Sequence, residues 1–474
     1  MASSATRQLL RGSVTLDDAI SGDDNILRKL QYPEQKQRFW TSLADLDAPG
    51  NSDEKLRTEI ATYVWLEENC PDVPIPTLHA FGFPDGSMFT HPENTPSITH
   101  TLWQARKWML HLLGWSAPSR YVRRTRQNPL QDGYLILSQA EGTMLSLSWE
   151  KHRHDKSYRE RLFHHLANIT LSINRSPLSR IASLTMQSDG CITLSNRPLG
   201  LHFQMLENEG IISGIPRQRS YAAVESYISD LISLQDNKIL HQPNAIHDWD
   251  DGKGQLAALT ALRAVMHTFI RPEYRHGPFF LTLTDLHQSN IFVDEQWNIK
   301  AIIDLEWAHA KPIEMQVPPY WLTSRAADGF NDADAIAEYD AILEEYLAIY
   351  AEEERRRNGV VVEAPIKRHV WKSGSFWYFH AVSIPKGMFN LFNRHIQPLF
   401  NTEHPDVSIF DEVFFWYWGA RARETITAKL GDKEDYVDRV RRAFGHSTES
   451  SEAIALPSGQ DDAEIIVSDK ELQL

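Results

Sequence analysis

A chain of 474 residues is too long for one small domain and suits two or three compact units. A hydrophobic content of 42% is ample for a buried core, which excludes wholesale disorder, and a net charge of −15 argues against a nucleic-acid backbone or an anionic membrane surface as the main partner. Two cysteines, Cys70 and Cys191, make neither a disulfide framework nor a cysteine zinc site, and no apolar run is long enough to span a bilayer, so a cytoplasmic protein is expected.

Residues 1–53 read as a polar segment with a helix around Asn25–Leu43 and a break at DAPGNSD. The run DEKLRTEIATYVWLEEN then predicts an amphipathic helix from Asp53, its N-cap, with Leu56, Ile60, Tyr63 and Val64 on one face. Three prolines beyond Asn69 end it, and a strand-like run follows. DGYLILSQAEG predicts a strand and a turn. Helical periodicity returns over Ser157–Ile173 and Tyr221–Leu234, separated by a loop-like stretch with short strands.

The glycines of GKGQLA (Gly252–Ala257) follow HDWDD, whereas a dinucleotide fingerprint must follow an apolar strand, so they predict a loop leading into a helix over Gly254–His267. Asp332–Arg357 is the most helical stretch, with an acidic start and a basic finish that suit the helix dipole. Aromatic-rich helices are expected over Val370–Phe392 and Asp411–Leu430, and FFWYWGARARE within the second reads as core before pocket lining. Residues 446–474 are acidic and predict a disordered tail. The histidine pairs lack the spacing of a helical zinc pair.

The run LTLTDLHQSNIFVDEQWNIKAIIDLEWA (Leu281–Ala308) carries the chemistry. Two apolar strand-like segments release carboxylates at Asp285 and Asp304, with Asn290 between them. Phosphoryl transfer needs an acidic group to orient or deprotonate a hydroxyl, and oxygen ligands that hold Mg²⁺ across nucleotide phosphates. A tight loop presents Asp285 and then Asn290; a hairpin through EQWN returns Asp304 to the same place. Isolated, the Asp-x4-Asn spacing is ordinary turn chemistry; the flanking strands and the second Asp make it a candidate site.

TDLHQSNIFVD…AIIDLEWA resembles the signature of the aminoglycoside phosphotransferase and choline-kinase-like group, closest to its fungal phosphotransferase-domain branch. EKLRTEIATYVWLEENCPDVPIPTLHAFGF resembles that group's αC-like helix and following strand, and YLILSQAEGTMLS its hinge, so the likeness spans roughly residues 54–430. It implies an α+β, bilobal, protein-kinase-like fold with a truncated N-terminal β lobe and a large, mainly helical C-terminal lobe. The reduced N-lobe would cover 54–145 and the C-lobe 146–445. It also implies ATP and Mg²⁺ use and transfer to a small-molecule hydroxyl. Asp285 would be the catalytic base, Asn290 and Asp304 the Mg²⁺ ligands, and Glu59 the partner of a nucleotide-binding lysine. Leu283 stands where many relatives have His, while His287 and Glu306 are open between loop hydrogen bonding and substrate contact.

One half of such a site is not visible. A glycine-containing loop and a strand-borne lysine should precede the Glu59 helix, yet that stretch has no β-rich run and no V-A-I-K-like lysine. Lys29 and Lys36 lie in a polar, helix-like context, and Lys55 shares Glu59's helix, too close to serve as its partner. The order reads as if a block were excised between about Ser42 and Pro49. A kinase-like binding or regulatory protein with a broken nucleotide site is the competing expectation.

Overall fold

The computed structural model describes residues 48–114, 117–124, 133–401 and 406–443. The helix expected around Asn25–Leu43, the lysines Lys29 and Lys36, and the tail over 446–474 lie outside them. The chain is a mixed α+β protein, mainly helical, with small antiparallel sheets. Among the described residues no helix is long and apolar enough to cross a membrane.

Helix α1 (Asn51–Asn69) opens the described chain. It starts two residues before Asp53, because Gly50 takes the left-handed conformation that turns the chain into the helix, at φ 82°. Asp53 is therefore not the cap; it lies in the first turn and pairs with Arg57 at 2.8 Å. Ile60, Tyr63 and Val64 are fully buried, as their spacing predicts. Strands β1 (Leu78–Gly82), β2 (Met88–Thr90), β3 (Val122–Arg123) and β4 (Tyr134–Leu137) form an antiparallel sheet in the order β3-β2-β1-β4, and helix α2 (Ser97–Leu112) lies between β2 and β3 in sequence.

After β4 the chain turns at Gly142 into β5 (Thr143–Met144), α3 (Ser146–His152) and α4 (Lys156–Asn174). Gly142 has φ 90°, and a Cβ there would sit 2.5 Å from the Val293 carbonyl oxygen, so no side chain fits. The hairpin β6 (Ser183–Met186) and β7 (Ile192–Asn196) packs on α1, followed by α5 (Leu201–Asn208), α6 (Val224–His241) and α7 (Trp249–Phe269). The loop expected at Gly252–Ala257 is helix instead. Gly252 and Gly254 serve packing, since Cβ atoms there would come 2.9 Å from Ile426 and 2.4 Å from Phe389. Neighbouring side chains occupy the space that a phosphate-cradling loop would need.

Strand β8 (Phe279–Thr282) leads to the loop over 283–290, then to the hairpin β9 (Ile291–Val293) and β10 (Ile299–Ile302) and to β11 (His309–Pro312). Beyond these lie α8 (Ala333–Asn358), α9 (Glu363–Lys372), α10 (Ser375–Ser383), α11 (Met388–Leu391), α12 (Gln397–Phe400), α13 (Val407–Phe414) and α14 (Ala422–Ala443). The α8 segment forms as its charge pattern predicts: Asp332 caps its N-terminus and left-handed Gly359 ends it. In the aromatic run near α13, Phe415 is buried while Trp416 and Tyr417 are exposed.

Candidate functional site

Backbone hydrogen bonds from three sides fix the loop over 283–290. The Leu145 N–H donates to the Ile291 carbonyl at 2.8 Å and Ser146 N–H to Gln288 at 3.0 Å, while β5 pairs with β9. Ile303 N–H donates to the Asn290 carbonyl at 3.0 Å, tying the loop to the residue before Asp304. Ile302 N–H donates to the Pro74 carbonyl at 2.8 Å, tying β10 to the segment after α1. At the far end of the hairpin Trp297 is buried, stacked on Trp149 with ring centroids 5.3 Å apart, and its indole N–H donates to Ser148 Oγ at 2.9 Å. Such a stack contributes about 1 kcal/mol beyond its burial.

The expected convergence is present. Asn290 Nδ2 donates to the Asp285 carbonyl oxygen at 3.0 Å and its carboxylate at 3.4 Å, which holds the two residues together and leaves the amide oxygen as the neutral ligand atom of the side chain. Burial and the nearby Asp304 carboxylate push Asp285 up to about 6. Burial also raises Asp304, offset by Lys55 and His287. Asp304 has φ 62°, a left-handed conformation that short polar residues tolerate better than branched ones.

His287 and Glu306 take definite roles. His287 Nδ1 accepts the Ser289 N–H at 3.2 Å, which leaves the proton of the neutral ring on Nε2, 3.7 Å from Asp285 Oδ1. Burial lowers its pKa. Glu306 does not bond back to the loop; its Oε2 meets Lys55 Nζ at 3.0 Å.

Glu59 faces the same cleft. Burial, then repulsion from Glu306 and Asp304, pushes its carboxyl up to about 7, while Lys55 and the Leu305 N–H favour its charged form. The cation here thus comes from Glu59's own helix, one turn earlier. Lys55, read as too close to Glu59 on the same helix to serve as its partner, makes its ion pair with Glu306; the four-residue offset puts the Lys55 and Glu59 side chains on one helix face. Lys55 Nζ also lies 5.7 Å from the Trp307 ring centroid. The Lys55–Glu59 spacing signalled this shared face in the sequence; the contact with Glu306 had no local signal.

Carboxylate and amide oxygens are the ligands that a hard divalent cation prefers. Among the described residues no group of three His, Cys, Asp or Glu side chains is gathered to hold a metal ion. Mg²⁺ on a nucleotide needs only one or two carboxylates beside the phosphates, so Asp304 with Asn290 fits that demand. Beside Asp285 a cavity of about 360 Å³ opens between β8, β11 and α10. The aromatic run Phe414–Trp418 is not part of its lining, so the pocket role weighed for that run is not met here.

A second charge cluster on α1 had no sequence signal. Arg197 is buried and forms two bonds to Glu54, at 2.9 and 2.8 Å, and two to Glu207, at 2.7 and 2.8 Å. Arg217 adds a 3.0 Å bond to Glu54. This network locks α1 to the 197–217 segment. In the comparisons, no family model matches the chain and no curated protein matches it.

Proposed function

We propose that this chain is an ATP- and Mg²⁺-dependent phosphotransferase of the bilobal, protein-kinase-like type, related to the aminoglycoside phosphotransferase and choline-kinase-like group and acting on a small-molecule hydroxyl. One observation carries the reading: Asp285, Asn290 and Asp304 share a loop and hairpin in which Asn290 holds Asp285, and Asp304 raises its basicity. A base near pH 6 is mostly ionised at neutral pH and still basic enough to take a proton in a transition state. Asp285 accepts the proton of the incoming hydroxyl, whose oxygen forms the new bond to phosphorus as the bond to the nucleoside diphosphate breaks. Asp304 and Asn290 are the residues that would hold Mg²⁺, which neutralises phosphate charge when bound. His287 supports Asp285 from its Nε2 side, and Lys55 supplies the cleft's positive charge opposite Glu306.

A second reading, a kinase-like binding protein with an impaired nucleotide site, is favoured by Glu59. Its charged neighbours are Asp304, Glu306 and Lys55, with Lys55 arriving from its own helix and not from a covering strand. Calorimetric titration of Mg²⁺–ATP into the protein and into Asp304→Ala separates the two. Saturable binding that the substitution abolishes supports the enzyme; absence of binding to either protein sinks it.

A further inference from the structure

The cavity beside Asp285 has a charge pattern that a polycationic acceptor does not match. Its volume of about 360 Å³ lies within the ~300–1,000 Å³ of small-molecule sites. Much of its wall is apolar or aromatic, including Trp307, Tyr320, Trp321 and Phe379, and among the described residues the one carboxylate in its lining is Asp285. Two lysines also line it, Lys311 and Lys367.

Lys367 is accounted for. Its Nζ donates to the Gln316 carbonyl at 3.4 Å and lies 5.3 Å from the Tyr350 ring centroid, with Glu363 and Glu354 favouring its charge. Lys311 is different. Among the described residues no carboxylate offsets its burial, which pulls its ammonium down to about 8. Its ionisable neighbours are His309 and His380, held neutral by burial at about 3 and about 4. Each ring places Nδ1 on a backbone carbonyl, that of Trp307 for His309 and that of Phe376 for His380. Lys311 thus brings an ammonium to a mainly apolar cavity, and an anion brought by a ligand relieves its desolvation cost.

The ladder gives the spacing. Lys311 pairs with Phe280 across the β8–β11 register, five residues before Asp285; about 17 Å of extended chain plus about 5 Å across the ladder limits the Lys311 and Asp285 backbones to roughly 22 Å. We propose that this cavity binds an amphipathic hydroxy acid, its carboxylate on Lys311 Nζ, its apolar body against Trp307 and Tyr320, and its hydroxyl toward Asp285. The hydroxyl end rests on the phosphotransferase reading; the carboxylate end stands on the cavity alone.

The test is calorimetric titration without nucleotide or metal, using ω-hydroxydecanoate, decanediol and aminodecanol as probes on the full chain, Lys311→Met and Lys311→Arg. Hydroxydecanoate is expected to bind about tenfold more tightly than decanediol, the scale of one charge-assisted hydrogen bond. Lys311→Met removes that preference and Lys311→Arg keeps it. Equal binding of acid and diol, tighter binding of the amino alcohol, or no saturable binding of any probe overturns the proposal. Lys311-dependent acid binding in a protein that binds no Mg²⁺–ATP leaves this inference standing and defeats only the phosphotransferase reading.

Discussion

Helix α1 carries two charge clusters that differ in one respect. Toward the 197–217 segment, Glu54 and Glu207 are matched by Arg197 and Arg217, with the Glu54 and Arg197 side chains only 4% exposed. Toward the cleft, Glu59, Glu306, Asp304 and Asp285 face one lysine among the described residues, Lys55. In the first cluster every desolvated charge has a partner, so the arrangement is spent on holding the helix. In the second, carboxyls are crowded and their protons bind more tightly than usual, a tension that an added cation relieves. Balanced burial marks scaffold here and unbalanced burial marks the candidate site.

The largest effect should come from breaking the balanced cluster. Arg197→Met leaves Glu207 without its guanidinium and Glu54 with Arg217 alone, and is expected to cost about 3–5 kcal/mol in urea denaturation. A loss under about 1 kcal/mol would show that water already reaches the network.

The cleft should respond in the opposite direction. Glu59→Gln removes a carboxylate whose folded value, about 7, stands above its ordinary 4.5. Below pH 4.5 both states are protonated and the substitution changes little; above pH 7 the wild type carries the full penalty. The variant should therefore be more stable by roughly 3 kcal/mol at pH 8, with the gain fading as pH falls toward 4.5. A pH-independent difference in melting temperature would contradict the crowding argument.

The smallest stability change belongs to Lys55→Met. The ammonium group is partly exposed, so its pairing with Glu306 is worth at most about 1 kcal/mol in thermal unfolding. Its effect on the cleft is chemical: Glu306 and Glu59 should titrate at higher pH in the variant, read from carboxyl resonances by NMR. Unmoved resonances would remove Lys55 from the site.

Legibility in the sequence follows the range of the interactions involved. Helices α4 and α8 and the β9–β10 hairpin form as periodicity and turn residues predict, because their patterns are local. The gathering of Asp285, Asn290 and Asp304 was equally readable, since twenty consecutive residues, Asp285 to Asp304, contain all of it. The Glu54–Arg197 network joins residues 143 positions apart, and no local pattern announces such a pair. Gly252 and Gly254 were misread for the same reason, their neighbours Ile426 and Phe389 being far along the chain. Lys311 carried no signal in the sequence; only the ladder against β8 brings it beside the cavity.

The Arg197 lock has a mechanical consequence. Lys55 and Glu59 project from the same rod that Glu54 fastens one residue upstream of Lys55, so the three side chains turn together or not at all. Rolling that rod would tear the Glu54–Arg197 fork and the Glu54–Arg217 bond out of a dry interface, at a cost close to that of local unfolding. A lever held so firmly is a poor switch, which leaves the occupants of the cleft, and not a swinging helix, to govern when its carboxylates act.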